Sequence, residues 1–419
     1  MSFPVRLKLA AVSLFVTGIC SGQTLDSCIG MAYRNYPQIK EYDLIGMSRD
    51  YDIRNAALAW APQLNISGKA SWQSTVVEMP FDIPGFEFNI PHDQYGLTAD
   101  ITQQIWDGGA SSAKRQLAEA GAEVKSRQLD VNLYSIRSQV QNIYLGAVLI
   151  DKQLELNDVL RARLERSLSE ARAMLDAGVA CESDVDQVQV SILSCEQQKS
   201  ALETDRKAYL RMLSLLTGTD LSDAQLIEPS VDASVLSDAP GTRPELALYD
   251  AQSRQIEVQR KQLNTNISPK LNLNLQGGYG RPGLNMLLGE FDPYFVAGLK
   301  LQWNIASLYT LGNEKKKLAL ESQRVDLARE SFLKNNSIEA VQKRSAIDKA
   351  ADVLARDEQI VSLRERIART AEQQYKQGVV KMNDYLSHLD EEFNARLDRN
   401  VHQVQLTMAV YDYGNTLGY

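Results

Sequence analysis

The chain has 419 residues, 7% aromatic side chains and a formal net charge of −8. Phosphate binding needs a basic footprint, so this balance argues against nucleic acid as a partner. Few aromatics, a mean hydropathy of −0.29 and stretches rich in Gln, Asn, Arg, Glu, Ala and Leu fit long packed helices better than compact domains.

Arg6 and Lys8 precede an apolar run from Leu9 to Ile19, followed by small residues and Gln23. This order predicts a secretory signal peptide over residues 1–22, cut after Gly22. Cys20 offers a lipidated terminus as the alternative, but Ile19 sits where lipidation requires a small residue. Losing Arg6 and Lys8 moves the net charge from −8 to about −10. Cys28, Cys181 and Cys195 remain, without metal-ligand spacing. Cys181 and Cys195 lie about four helical turns apart, too far to bridge. Past Gly22 no apolar run approaches the roughly 18 residues of a membrane-spanning helix. An exported chain of this kind is soluble outside the cytoplasm or crosses a membrane by strands.

From Pro62 the side chains alternate with period two. Ile66, Gly68, Ala70, Trp72 and Val76 oppose Ser67, Lys69, Ser71, Gln73 and Thr75, and Leu97, Ala99, Ile101 and Ile105 oppose Thr98, Asp100, Thr102 and Gln104. Strands are predicted over about 63–77 and 94–106, with an outward loop from Glu78 to Asp93. A long Pro-free tract follows, and Ser111–Ala177 reads as a helix of about 65 residues, on the order of 100 Å long. Gly178 supplies a left-handed cap, and a second helix returns from Ser183 to Thr217. Its stripe of Val185, Val188, Ile192, Cys195, Leu202, Tyr209, Leu213 and Leu216 is narrow, as in a helical hairpin packed sideways.

The chain then repeats itself. Pro37, Tyr42 and Pro62 match Pro244, Tyr249 and Pro269 at an offset of 207, and Ile105, Glu165, Gly178 and Asp184 match Ile305, Glu365, Gly378 and Asp384 at 200. The predicted organisation is a first structural repeat over 23–240, with its hairpin at about 111–217, and a second over 241–419. The second has strands at about 270–280 and 294–305 and a hairpin at about 312–417, whose returning helix carries Leu389, Phe393, Leu397, Val401, Val404, Met408 and Tyr411. Strands of about 10 residues, apolar on one face and polar on the other, suit an outer-membrane barrel. Four strands cannot close one, because bacterial barrels start at about eight and an open edge in lipid leaves backbone groups unsatisfied. More than one copy must therefore share the barrel.

These features together resemble the TolC-like outer-membrane efflux protein family over essentially the whole mature length. The segment LDSCIGMAYRNYPQIK, the strand entries APQLNISG and SPKLNLNL, the helix opening QQIWDGG and the tips AGVACESDVDQ and QGVVKMNDYLSH carry the resemblance. It implies a mainly α fold with membrane β structure: a homotrimer with a shared barrel, four strands per protomer, continued by a long periplasmic α-helical barrel. It implies a place in the outer membrane of a Gram-negative bacterium, in contact with its lipid and reaching into the periplasm. It further implies docking to a periplasmic adaptor and an inner-membrane pump of RND or ABC type, in an efflux or type I secretion system.

At the tips the resemblance assigns gate residues Asp384, Asp184, Tyr375 and Ser183. Asp184 also reads as a helix N-terminal cap, and Asp384 as an acid lining the mouth. Gly178, Val179, Gly378 and Val379 are the expected adaptor-docking turns. Two departures from the family pattern stand out: Ser387 replaces a second acid, and Val380, beside Lys381, replaces a basic residue. Along the strands, Lys69, Asp100 and Lys300 are expected to face a water-filled lumen, and Ala70, Ile101 and Leu301 to face lipid.

Catalysis has little to stand on. His92 falls in a predicted loop, and His388 and His402 lie about four helical turns, roughly 21 Å, apart, too far to share a metal. No phosphate-cradling glycine loop or nucleophile elbow is present, so no cofactor, metal or catalytic residue is expected. The expected function is a passive exit duct powered by its partners. The alternative is a soluble periplasmic coiled-coil adaptor, which would need one hairpin flanked by lipoyl-like and barrel domains rather than two hairpins with membrane-type strands between them.

Overall fold

The computed structural model describes residues 22–76, 90–230, 243–286 and 289–419. All of the predicted signal peptide except Gly22, and most of the loop expected after Glu78, lie outside the described residues.

Helix α1 (Leu25–Asn35) starts where the Thr24 hydroxyl accepts the Ser27 N–H, and it buries Leu25, Cys28, Ile29 and Ala32 along one stripe. A 3-10 turn opened by Pro37 leads to α2 (Glu41–Leu58), then to strands β1 (Gln63–Trp72) and β2 (Asp93–Trp106). Helices α3 (Ala110–Asp176) and α4 (Glu182–Thr217) form the first hairpin. The order then recurs as α5 (Pro244–Asn266), β3 (Lys270–Arg281), β4 (Asp292–Gln302), α6 (Ser307–Lys376) and α7 (Met382–Leu417). Among the described residues no helix is long and apolar enough to cross a membrane. Cys28, Cys181 and Cys195 are free thiols.

The step from β2 to α3 depends on glycine. Gly108 and Gly109 hold φ of 66° and 87°, a conformation L side chains rarely adopt. The Asp107 carboxylate accepts the N–H groups of Gly109 at 2.8 Å and Ser111 at 2.6 Å, satisfying donors that the first turn of α3 leaves open. In the second copy the helix starts earlier than Gly312, which lies inside α6.

The four strands form one antiparallel sheet in the order β1-β2-β3-β4, so β1 and β4 are its edges. Directly paired residues share a face. The register therefore puts Asn65, Ser67 and Lys69 with Thr98, Asp100, Asn274, Gln276 and Lys300. The opposite face carries Leu64, Ile66, Leu97, Ile101, Leu273, Leu275, Leu299 and Leu301. Both β1 and β4 stop short of the lengths expected from alternation, at Trp72 rather than 77 and at Gln302 rather than 305. Each ends with its partner, since Trp72 pairs with Asp93 and Gln302 with Lys270, the first residues of β2 and β3. Side-chain alternation runs on past the pairing; the ladder does not.

Near the sheet α3 packs against α2 and α5, and α5 against α6, giving a row α2–α3–α5–α6. Toward the hairpin turns α3 packs against α4 and α7, and α7 against α6, giving a row α4–α3–α7–α6. One core joins α1, the middle of α3 and the ends of α4 and α7 through Cys28, Leu133, Val140, Tyr144, Leu213 and Val404. A second, nearer the turns, joins all four hairpin helices through Leu164, Val188, Tyr375, Tyr385 and Leu389. Each large side chain buried in such a core contributes about 1.5–3 kcal/mol.

Tyr144 ties the segment preceding α1 to this scaffold. Its hydroxyl lies 2.6 Å from the carbonyl oxygens of Gln23 and Ile227 and accepts the Ile227 N–H at 3.0 Å. Gln23 also bridges in parallel to Leu226. Tyr144→Phe removes the donor to the Ile227 carbonyl, while the Ile227 N–H and the Gln23 carbonyl keep each other at 3.1 Å, and is expected to cost about 1–3 kcal/mol. Hydrogen exchange should accelerate at residues 22–28 and 224–228 while the hairpin helices stay protected; unchanged exchange there would remove Tyr144 as the fastening.

Candidate functional site

The hairpin turns are built alike. Gly178 and Gly378 hold φ of 73° and 72°. In each, the N–H of the following valine reaches back over the helix end, Val179 to the Met174 carbonyl at 2.9 Å and Val379 to the Gln374 carbonyl at 2.8 Å. The glycine N–H groups bond the carbonyls of Leu175 and Tyr375, both at 2.9 Å. This is a Schellman closure, and glycine is the residue that enters it without strain. It leaves Val179 and Val379 projecting, 76% and 67% exposed.

The returning helices start differently. At α4, Cys181 takes the N-cap position, and the Asp184 carboxylate accepts both its N–H and its Sγ–H at 3.2 Å. Asp184 is thus half of a reciprocal capping box. At α7, Lys381 takes the N-cap position without a side-chain cap, and Asp384 is exposed. Ser183 is exposed too, with its hydroxyl 3.5 Å from the Gln187 amide. The two aspartates at matching places in the repeat therefore stand in different surroundings.

Tyr375 does not stand free at the turn. It is buried and stacks on Tyr385 with ring centroids 6.0 Å apart. Among the described residues its hydroxyl finds no hydrogen-bond partner. Burial, with the nearby carboxylates of Asp184 and Glu170, raises its pKa above the ordinary phenol value, so it stays neutral.

Two turns of α3 bind the first hairpin to the second. Arg163 meets Glu392 of α7 at 2.7 Å, Ser167 lies 3.2 Å from the Tyr385 hydroxyl, and Glu170 meets Lys376 of α6 at 2.8 Å. Glu392 is buried and also receives Arg396 at 3.0 Å, which continues to Glu365 at 2.7 Å. Sequence reading missed this strip. Its one signal was a carboxylate, Glu392, lying between Leu389 and Phe393 on the inward stripe of α7.

On the sheet, Lys69, Asp100 and Lys300 share the polar face, with Ala70, Ile101 and Leu301 on the other. Asp100 accepts the Gln276 amide at 2.7 Å, and the hydroxyls of Ser67 and Thr98 meet at 2.7 Å. Polar side chains thus bond to one another across the strands of this face.

The inter-hairpin pair has a testable energetic signature. Removing one member of a buried ion pair strands its partner, whereas replacing both with apolar groups often does not. Arg163→Met or Glu392→Met alone should each destabilise, by less than the roughly 3–5 kcal/mol of a fully stranded charge because Arg396 and Glu372 remain to pair with the survivor, and the double variant by less than their sum. Simple additivity in denaturant melts would show that the pair carries no coupling.

Residues 28–219 match the outer membrane efflux protein family. Among solved structures, CusC, described for the conformational changes accompanying folding and transmembrane channel formation, aligns with a TM-score of 0.68 at 14% identity, over 94% of this chain and 92% of that one. The outer membrane protein VceC of Vibrio cholerae aligns with a TM-score of 0.65 at 14% identity, over 94% and 96% of the two chains. The CmeC outer membrane channel of Campylobacter jejuni gives 0.64 at 15% identity, over 94% and 85%. Comparison with curated proteins by sequence finds no match. Residues 28–219 are thus similar to the outer membrane efflux protein family, and over nearly its whole length the chain takes the TolC-like channel fold.

Proposed function

We propose that this protein is the outer-membrane duct of a tripartite efflux or type I secretion system, a homotrimer whose three sheets close one barrel in the membrane and whose helices continue it into the periplasm. The observation that carries this reading is that the protomer is open at matching edges on every level. The sheet ends in β1 and β4. The sheet-proximal helix row ends in α2 and α6, and the turn-proximal row in α4 and α6. Each edge helix bears an exposed apolar stripe: Leu44, Met47, Tyr51 and Leu58 on α2, Val190 and Leu193 on α4, and Leu320, Leu327, Val341 and Leu363 on α6. Unlike edges that meet head to tail generate a closed ring. Three copies of four strands make twelve, within the range of bacterial barrels.

In this arrangement the polar sheet face lines water, and the apolar face meets lipid. Gly178, Val179, Gly378 and Val379 form the docking turns for a periplasmic adaptor, and an inner-membrane pump of RND or ABC type supplies the energy. Asp384, exposed and outside a capping box, rings the mouth. Asp184, in its capping box, and Tyr375, stacked on Tyr385, lie near each other and belong to the closed packing, with Ser183 beside Asp184.

Cysteine labelling tests the barrel. Cysteines at Lys69, Asp100 and Lys300 should react with a membrane-impermeant thiol reagent in the inserted trimer, and cysteines at Ala70, Ile101 and Leu301 should not. Equal labelling of both sets would end the reading.

Planar-bilayer recordings test the mouth. Asp384→Asn should lower cation selectivity and weaken block by multivalent cations with little change in stability, since Asn is tolerated at a helix start. Unchanged selectivity and block would place the constriction elsewhere.

A further inference from the structure

The helix end of the sheet carries exposed aromatics. Trp106 pairs with Leu271 on the apolar face at the end of β2, Trp303 follows β4, and Tyr309 opens α6 at 82% exposed. The other end carries Trp72, Tyr95, Tyr279 and Phe295. Two aromatic levels flanking an apolar band mark the two interfaces of a membrane. Strand β1, with 10 residues, is about 34 Å long and spans about 26 Å when tilted by about 40°. That matches the apolar height of an outer-membrane barrel, about 25 Å.

A band of cations comes directly beyond the helix-side aromatics. Lys114 and Arg115 lie on α3, Arg260 and Lys261 on α5, and Lys315 and Lys316 on α6. With 1.5 Å of rise per residue, all six sit within about 6–14 Å of the sheet-proximal ends of their helices. The ten sheet-proximal residues of each of these helices hold only Glu119, Glu257 and Glu314 as acids, and Glu314 is engaged by Lys317 at 3.2 Å. The band is therefore net positive in a chain of net charge −8. The fourth helix at this level, α2, is neutral over the same length, with Arg49 paired to Asp50.

What separates these cations is that they gather at one level of the helices without ion-pair partners. Among the described residues none of the six takes part in an ion pair, whereas Arg163, Arg364, Lys376 and Arg396, nearer the turns, all do. Five of the six are exposed, and Lys315 is half-buried. Like charges held at one level repel, and the three carboxylates of these helix ends offset only part of the charge. The counter-charge that belongs at this depth is the phosphate of lipid headgroups.

We infer that this cationic band docks on the phosphate-bearing headgroups of the helix-side leaflet, with anionic glycerophospholipid as its partner. The inference rests on the reading of the sheet as membrane-spanning. A Lys or Arg close to an anionic bilayer surface is worth roughly a fivefold gain in binding, and the gain decays over about 10 Å at 0.1 M salt. The band would set the depth of the barrel and hold the helical portion perpendicular to the bilayer.

The test compares full-length protein in vesicles of phosphatidylcholine alone with vesicles containing phosphatidylglycerol, at low and high salt. Three proteins are used: wild type, a band variant (Lys114→Gln, Arg115→Gln, Lys315→Gln, Lys316→Gln) and a charge-matched control (Arg172→Gln, Lys207→Gln, Arg211→Gln, Arg366→Gln). The readouts are the fraction inserted, from vesicle flotation, and the apparent Tm by tryptophan fluorescence. All three should insert into phosphatidylcholine. Phosphatidylglycerol should raise the Tm of wild type and control at low salt, less so at high salt, and the band variant should lose that shift. A wild type that inserts but shows no lipid dependence, or a band variant that keeps it, overturns the proposal while leaving the barrel intact. Failure of wild type to insert into either vesicle removes the barrel reading and this inference with it.

Discussion

Backbone hydrogen bonding at the two sheet edges governs everything else in this molecule. In a four-stranded sheet ordered β1-β2-β3-β4, half of the hydrogen-bonding groups of each edge strand point away from any partner. Water can satisfy them, but lipid cannot, and an unsatisfied group in hydrocarbon costs several kcal/mol. The apolar face, with Leu64, Ile66, Leu299 and Leu301 all exposed, is equally unsuited to water. Backbone and side chains thus make incompatible demands on an isolated protomer, and ring closure in a membrane meets both. The exposed stripes on α2, α4 and α6 extend the same incompleteness down the helices, so in the proposed trimer one head-to-tail operation would cover edges made of different secondary structures.

Much of this fold was legible because it is built from long periodic elements. Alternation located all four strands, the Pro-free tracts located both hairpins, and Gly178 and Gly378 marked both turns. The errors fell where periodicity and pairing part company. Trp303 and Ile305 continue the side-chain alternation of β4, yet the ladder ends at Gln302 because β3 begins at Lys270. Gly312 reads as a boundary, but a glycine inside a helix costs only about 1 kcal/mol. A helix of 70 residues absorbs that easily.

The candidate site was less legible, for a different reason. Its pieces are adjacent in space and remote in sequence. Asp184 announces its cap locally, since a capping box needs only a residue three positions from the helix start. The Arg163–Glu392 pair spans the whole second copy of the sheet, and no local pattern names Arg163 as the partner of Glu392. Tyr385 is harder still. It follows Asp384 in the sequence and looks like one more residue of the turn, yet it is buried, stacks on Tyr375 and reaches Ser167. Long-range pairing of this kind emerges only once α3 lies against α7.

The two hairpins are copies in backbone and unequal in chemistry. Their turns close through the same Schellman bonds, but α4 begins with both halves of a capping box satisfied and α7 begins without a side-chain cap. Capping is worth about 1 kcal/mol at a helix start, so the first turn of α7 frays more readily than that of α4. Just inside that first turn, Met382 and Tyr385 are buried in the core shared by all four hairpin helices. Asp384 lies on the exposed side of the same turn. The two turns are equivalent in backbone but held differently: one end is pinned by its own cap, and the other mainly by packing and by the inter-hairpin strip. In the proposed duct, a movement that widened the mouth would start at the second turn, resisted first by the Lys376–Glu170 pair and then, deeper in, by the buried Glu392.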